Sequence, residues 1–107
     1  MKLTQIKIVN LIARQSLKKE LVTFLRKLGV SGYTYFSVSG KGVQGLRKSK
    51  IGEARNVQFK ILLEPLLALT LMQEIAEKYF ETEKVIIFDQ DIRVIRPQKF
   101  TRIHIRD

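Results

Sequence analysis

Val57, Phe59, Ile61 and Leu63 alternate with Gln58 and Lys60, which is the cleanest period-two run in the chain and predicts a half-buried strand. An earlier apolar run from about Ile6 to Ala13 (Ile6, Ile8, Val9, Leu11, Ile12) reads as a first strand. Leu17, Leu21, Phe24, Leu25 and Leu28 then recur at helical spacing, with Lys18, Lys19, Glu20, Thr23, Arg26 and Lys27 on the other side. Ser16 is placed to cap that helix, and Gly29 falls where a helix end favours positive φ. Tyr33 to Ser39, rich in aromatic and β-branched residues, predicts a second strand. Pro65 opens a second helix at a position where its missing N–H costs nothing, with Ala68, Leu71, Met72, Ile75, Ala76 and Tyr79 forming the apolar face. Lys84 to Phe88 predicts a fourth strand and Ile92 to Ile95 a fifth, stopped by Pro97. The alternating tail Thr101 to Arg106 suits a short C-terminal edge strand.

The order β-α-β-β-α-β with an extension predicts an α+β, ferredoxin-like sandwich: an antiparallel sheet with two helices on one face and a C-terminal extra strand. Such a sheet leaves its other face to be covered, and oligomerisation is the economical answer. At 107 residues the chain is expected to form a single domain, 1–107, burying about two thirds of the surface its unfolded form exposes. The opening residues lack an apolar core followed by a small-residue cleavage site, so no signal peptide is expected. The stretch around Leu66 to Met72 is too short to span a bilayer.

Twenty Lys and Arg against ten Asp and Glu give a formal charge of +10, which fits an anionic partner (nucleic acid, a small anion or an acidic surface) or simply a solvated basic surface. The charge is spread over the whole length, which disfavours a basic nucleic-acid-binding arm. There is no cysteine, so disulfides, thiolate catalysis and cysteine-ligated zinc are excluded. No nucleophile lies beside a base, and no residues show metal-ligand spacing; His104 is alone. The chain is therefore expected not to be an enzyme and to need no cofactor or metal. Asp89 and Asp91 hint at a cation site, although pairing with Arg93 or Arg96 explains them equally. Glu74, Glu77, Glu81 and Glu83 read as the wet side of the second helix and its exit, and Arg102, His104 and Arg106 as an exposed basic face. Tyr33, Tyr35 and Phe36 suggest packing more than base stacking, because no RNA-binding aromatic motif surrounds them.

Candidate chemistry concentrates at Gly40-Lys41-Gly42, directly after the second strand. Two glycines permit a sharp turn and a close backbone approach, and the lysine between them supplies a charge suited to phosphate. Val43 to Arg55 follows with Arg47, Lys48, Lys50 and Arg55 and few apolar residues, so residues 40–55 predict a flexible cationic loop.

Leu28-Gly29-Val30-Ser31-Gly32-Tyr33-Thr34, Gly40-Lys41-Gly42 and Asn56-Val57-Gln58-Phe59, in this order, resemble the PII-like signalling proteins. Glu77-Lys78-Tyr79-Phe80, Val85-Ile86-Ile87-Phe88 and Val94-Ile95-Arg96-Pro97-Gln98-Lys99-Phe100 extend the likeness to about residues 8 to 100, with the carbon-sensing, bicarbonate-transporter-associated branch nearest. The resemblance implies a cytoplasmic homotrimer that binds an adenine nucleotide (AMP, cyclic AMP, ADP or ATP) between subunits. Residues 40–55 would be its T-loop, reporting occupancy to a partner such as a membrane transporter of the bicarbonate type, at the membrane periphery. Carried over, Gly40, Lys41 and Gly42 line the cleft, Gln44 stands beside them and Arg47 meets phosphate. Asn56 closes the loop base, the backbone around Val85 to Ile87 of a neighbour meets the base, and Val43, Lys48, Lys50 and Arg55 face the partner.

Three departures alter that picture. Gln44 stands where the carbon-sensing relatives carry arginine, so a neutral amide replaces a bidentate cation. Val85 replaces a small residue where backbone approaches the nucleotide, and the cysteine-flanked redox tail of some relatives is missing. A ligand-free interaction trimer and a basic nucleic-acid-binding protein are the alternatives; nucleic acid is the less favoured partner.

Overall fold

The computed structural model describes residues 2–30, 32–39 and 55–95. Four strands form one antiparallel sheet in the order β2-β3-β1-β4: β1 Thr4–Arg14, β2 Tyr33–Val38, β3 Asn56–Leu63 and β4 Ile86–Val94. A 3-10 turn, Gln15–Leu17, leads into helix α1 (Lys18–Lys27), and α2 spans Pro65–Tyr79. This is the α+β ferredoxin-like βαββαβ arrangement expected from the hydrophobic pattern.

Register assigns the two sheet faces. Leu11 lies opposite Phe59 and Ile87, and Phe59 opposite Tyr35, so odd-numbered strand positions share one side. Val9, Leu11, Ala13, Val57, Phe59, Ile61 and Leu63 on that side are buried with Leu21 and Leu25 of α1 and Ala68, Leu71, Ile75 and Tyr79 of α2. The two helices thus cover the odd face, and the even face is left without a helix. Tyr33 and Tyr35 belong to the covered side, their rings 6.0 and 5.3 Å from Phe59, whereas Phe36 projects from the open one.

The helix ends follow the local chemistry closely. Gly29 adopts φ 82°, and the N–H groups of Gly29 and Val30 return to the carbonyls of Arg26 and Leu25 at 3.0 Å. This is a Schellman closure, with Val30 and Leu25 both buried beneath it. At α2, Pro65 occupies the first turn and the Glu64 carboxylate accepts from the N–H groups of Leu66 and Leu67 at 3.3 and 3.2 Å. The helices meet where Phe24 packs edge-on against Tyr79 and the Tyr79 hydroxyl donates to Glu20 at 2.8 Å. Burial, then the adjacent Glu20 carboxylate, raise the Tyr79 phenol above its ordinary range.

Two sequence expectations are corrected. Ser16 does not cap α1: its hydroxyl accepts from the Arg14 guanidinium, and the 3-10 turn carries the chain into the helix without a side-chain cap. The segment Ile92 to Ile95 is not a separate strand, because Ile86–Val94 pairs continuously with β1 and the polar Asp89-Gln90-Asp91 runs through its middle. The tail strand expected over Thr101 to Arg106 lies outside the described residues.

Candidate functional site

The pairing Val38↔Asn56 brings the end of β2 beside the start of β3, so Ser39 and Arg55, which flank residues 40–54, emerge at one end of the sheet. The Gln15 N–H donates to the Arg55 carbonyl at 3.0 Å, and Ser37 Oγ donates to Gln15 Oε1 at 3.3 Å. Together these bonds tie the end of β1 to both sides of the loop base. Beside them opens a cavity of about 260 Å³ lined by Ser37, Val38, Ser39 and Arg55. The Ser39 hydroxyl and the Arg55 guanidinium are hydrogen-bond donors suited to an oxyanion or phosphate, the Ser37 O–H being given to Gln15. Arg55 makes no ion pair among the described residues.

Of the sequence-predicted residues, Asn56 opens β3 at this base, opposite both Val38 and Arg14. Arg55, expected to face a partner, lines the cavity. Gly40, Lys41, Gly42, Val43, Gln44, Arg47, Lys48 and Lys50 lie outside the described residues. Val85 and Ile87 pack partly buried against the core. They occupy the same end of the sheet, since Ile12 pairs with Ile86 and Arg14 with Asn56, but on the opposite edge. Three strand spacings, about 14 Å, separate β2 from β4, so one chain does not bring its two predicted half-sites together. Ser37 and Ser39 were not singled out from the sequence, although their alternation just before Gly40 was the available signal.

The β4 side of this end is held by Arg14, whose Nε and Nη2 donate to the two Glu83 carboxylate oxygens at 2.8 and 2.6 Å. That bidentate contact holds the Glu83 carboxyl below its usual range. Glu83, grouped from the sequence with the wet side of the second helix and its exit, is thus paired across to β1. Among the described residues Asp89 and Asp91 are engaged by Lys7 Nζ, at 3.5 and 2.7 Å, and not by Arg93; Arg96, the other partner suggested by the sequence, lies outside the described residues. The hydrogen bond that Lys7 donates to Asp91 raises the Lys7 pKa. Among the described residues no cluster of His, Cys, Asp or Glu suits a metal ion, and no helix is long and apolar enough to cross a membrane.

An antiparallel βαββαβ sandwich with a cavity where β2 ends and β3 begins defines a ferredoxin-like module. The family model described as nitrogen regulatory protein P-II matches residues 6–99, and the chain belongs to that family. Among solved structures it is similar to a PII-like signalling protein of Thermus thermophilus, at 31% identity over 94% of this chain and 99% of that one, with a TM-score of 0.77. It is also similar to CPII of Thiomonas intermedia bound to ADP, AMP and acetate (25% identity, 95% and 100% coverage, TM-score 0.78). The same CPII bound to ADP and bicarbonate gives 28% identity, 92% and 97% coverage and a TM-score of 0.74. No curated protein sequence is significantly similar. PII signalling proteins are non-enzymatic regulators and are typically trimeric.

Proposed function

We propose that this chain is a carbon-sensing PII-like regulator, a cytoplasmic homotrimer that binds an adenine nucleotide or related anion between subunits. The observation that carries this reading is the cavity of Ser37, Ser39 and Arg55 at the base of residues 40–54, on the edge opposite Val85 and Ile87. If the open faces of three copies turn to a common axis, the β2 edge of one copy lies beside the β4 edge of the next. The two half-sites that a single chain keeps apart then close one cleft. Gly40, Lys41, Gly42, Gln44, Arg47 and Asn56 line it, joined by Arg55, and the neighbour's Val85 and Ile87 backbone meets the base. A polyphosphate neutralises several cations of residues 40–55 at once and so offsets the entropy of ordering them as a T-loop. The ordered T-loop, through Val43, Lys48 and Lys50, offers a changed surface to a partner such as a bicarbonate-type membrane transporter. CPII bound to ADP with bicarbonate supports this choice of ligand class.

Isothermal titration with AMP, cyclic AMP, ADP and ATP, with and without bicarbonate, tests the reading. We expect saturable heat and a raised melting temperature for at least one nucleotide, lost on Lys41→Ala or Arg55→Ala. No heat and no melting shift at millimolar ligand would remove the nucleotide and leave a ligand-free interaction trimer. Gln44, a weaker phosphate partner than arginine, is the residue that favours that second outcome.

A further inference from the structure

The even face of the sheet is apolar at Ile8, Ile12, Phe36, Leu62, Phe88 and Ile92, with Phe36 and Phe88 each 42% exposed. A polar cluster crosses its centre. Asn10, fully buried on the middle strand β1, donates through Nδ2 to Gln90 Oε1 at 2.8 Å on β4. Its Oδ1 accepts from Gln58 Nε2 at 3.1 Å and from Lys60 Nζ at 3.0 Å, both on β3. One buried amide therefore joins three strands and holds the ammonium at the middle of the face.

Two features select what covers this face. The chain carries +10, so copies repel one another over most of their surface. Here Lys60 is the one charged side chain, among the described residues, away from the strand ends; Arg14 at the end is spent on Glu83. Among the described residues the face is thus sparsely charged, and copies can meet on it with little repulsion outside the Lys60 position. The hydrogen-bond inventory is also self-complementary. Lys60 has two donors beyond the one given to Asn10, and Gln58 Oε1 accepts nothing among the described residues. A donor left over on one copy has an acceptor left over on the next.

We infer that the Asn10–Gln58–Lys60–Gln90 cluster sets the register and number of copies that pack on this face, at a cost in assembly strength. The inference rests on the homotrimer reading above. An apolar face alone permits many slipped or alternative pairings. A charged, partly satisfied group at its centre penalises every arrangement that leaves the ammonium without acceptors. The same group must lose water on assembly, so the correct arrangement is weaker than an all-apolar face would allow. A single polar residue that fixes oligomer state at the expense of stability is well attested in coiled coils.

The test is Lys60→Met in the full chain, which removes the charge and leaves Asn10 bonded to Gln58 and Gln90, with Asn10→Leu beside it. Native mass spectrometry over a dilution series reads copy number and dissociation concentration, and circular dichroism checks that each variant folds. Wild type is expected as one trimeric species. Lys60→Met should dissociate at roughly tenfold lower concentration and populate a second oligomer. Asn10→Leu strands three polar groups and should dissociate at roughly tenfold higher concentration. Should Asn10→Leu fail to fold, Lys60→Met decides alone. An unchanged or raised dissociation concentration in Lys60→Met, or tighter assembly that keeps a single copy number, would overturn the inference. A monomeric wild type would instead overturn the homotrimer reading beneath it.

Discussion

Replacing Phe59 with leucine should cost more than its lost volume suggests, because its ring couples the middle of the sheet to the strand that leads into the cavity. Phe59 is fully buried on β3, and its ring centroid lies 5.3 Å from Tyr35 and 6.0 Å from Tyr33 on the neighbouring strand. Leucine keeps most of the apolar bulk and removes the two tilted ring contacts, each contributing about 0.5–1.5 kcal/mol beyond area burial. The expected loss is therefore about 1–3 kcal/mol, a sizeable part of a stability of roughly 5–15 kcal/mol. Urea unfolding followed by circular dichroism, at fixed subunit concentration because assembly contributes to the midpoint, measures it. The specific claim is the coupling. In a Tyr35→Leu background the cost of Phe59→Leu should fall by about 0.5–1.5 kcal/mol, since one ring partner has already gone. Hydrogen exchange at the β2 amides should quicken in both single variants, as the ring contacts that hold the strand loosen. A cycle that closes within about 0.3 kcal/mol would refute the reasoning and reduce Phe59 to an ordinary core residue.

Glu64→Ala removes the acceptor for the first N–H groups of α2 and should lower stability by about 1 kcal/mol in the same urea assay, with Glu64→Asp recovering much of it. Glu83 titrates below the unfolded carboxylate value because Arg14 binds its charged form. The unfolded chain therefore binds the proton first as pH falls, so this contribution is present above the usual carboxylate range and disappears as pH drops through the depressed value. A melting-temperature profile between neutral and acidic pH should lose part of its acid-side slope in Glu83→Gln, and an unchanged slope would show that the Arg14 contact does not act in solution.

Residues whose local chemistry and long-range packing agree made the fold legible in the sequence. The alternation of Val57, Phe59, Ile61 and Leu63, the Gly29 stop and the Pro65 start each impose one backbone choice, and each appears in the molecule. Ser16 misled because a nearby arginine competes for its hydroxyl, a contact that becomes visible only once β1 and the turn are built. The break expected after Phe88 arose from Asp89-Gln90-Asp91, polar residues that look like a turn in isolation. Lys7 and Asn10 on the adjacent strand satisfy them, so the strand runs on. For the site, the sequence pointed to residues 40–55 after β2 and not to a cavity. Ser37, Ser39 and Arg55 converge only through the Val38↔Asn56 pairing, which joins positions far apart in the chain. Likewise nothing in the sequence marks Asn10 as the residue on which the bonds of three strands meet.

The Val38↔Asn56 pair, closed off behind by the Gln15 to Arg55 bond, has a consequence for how this protein can change over generations. Both ends of residues 40–54 are fastened to the sheet by backbone bonds that do not depend on the identity of the intervening side chains. Each doubling of a flexible loop's length costs only about 0.6 kcal/mol in closure entropy. A segment joined to such a base can be lengthened, shortened or rewritten with little effect on folding, so selection on its sequence is decoupled from selection on the scaffold. The paired ends of β2 and β3 act as a socket, and descendants of this chain can exchange what is plugged into it without rebuilding the sheet.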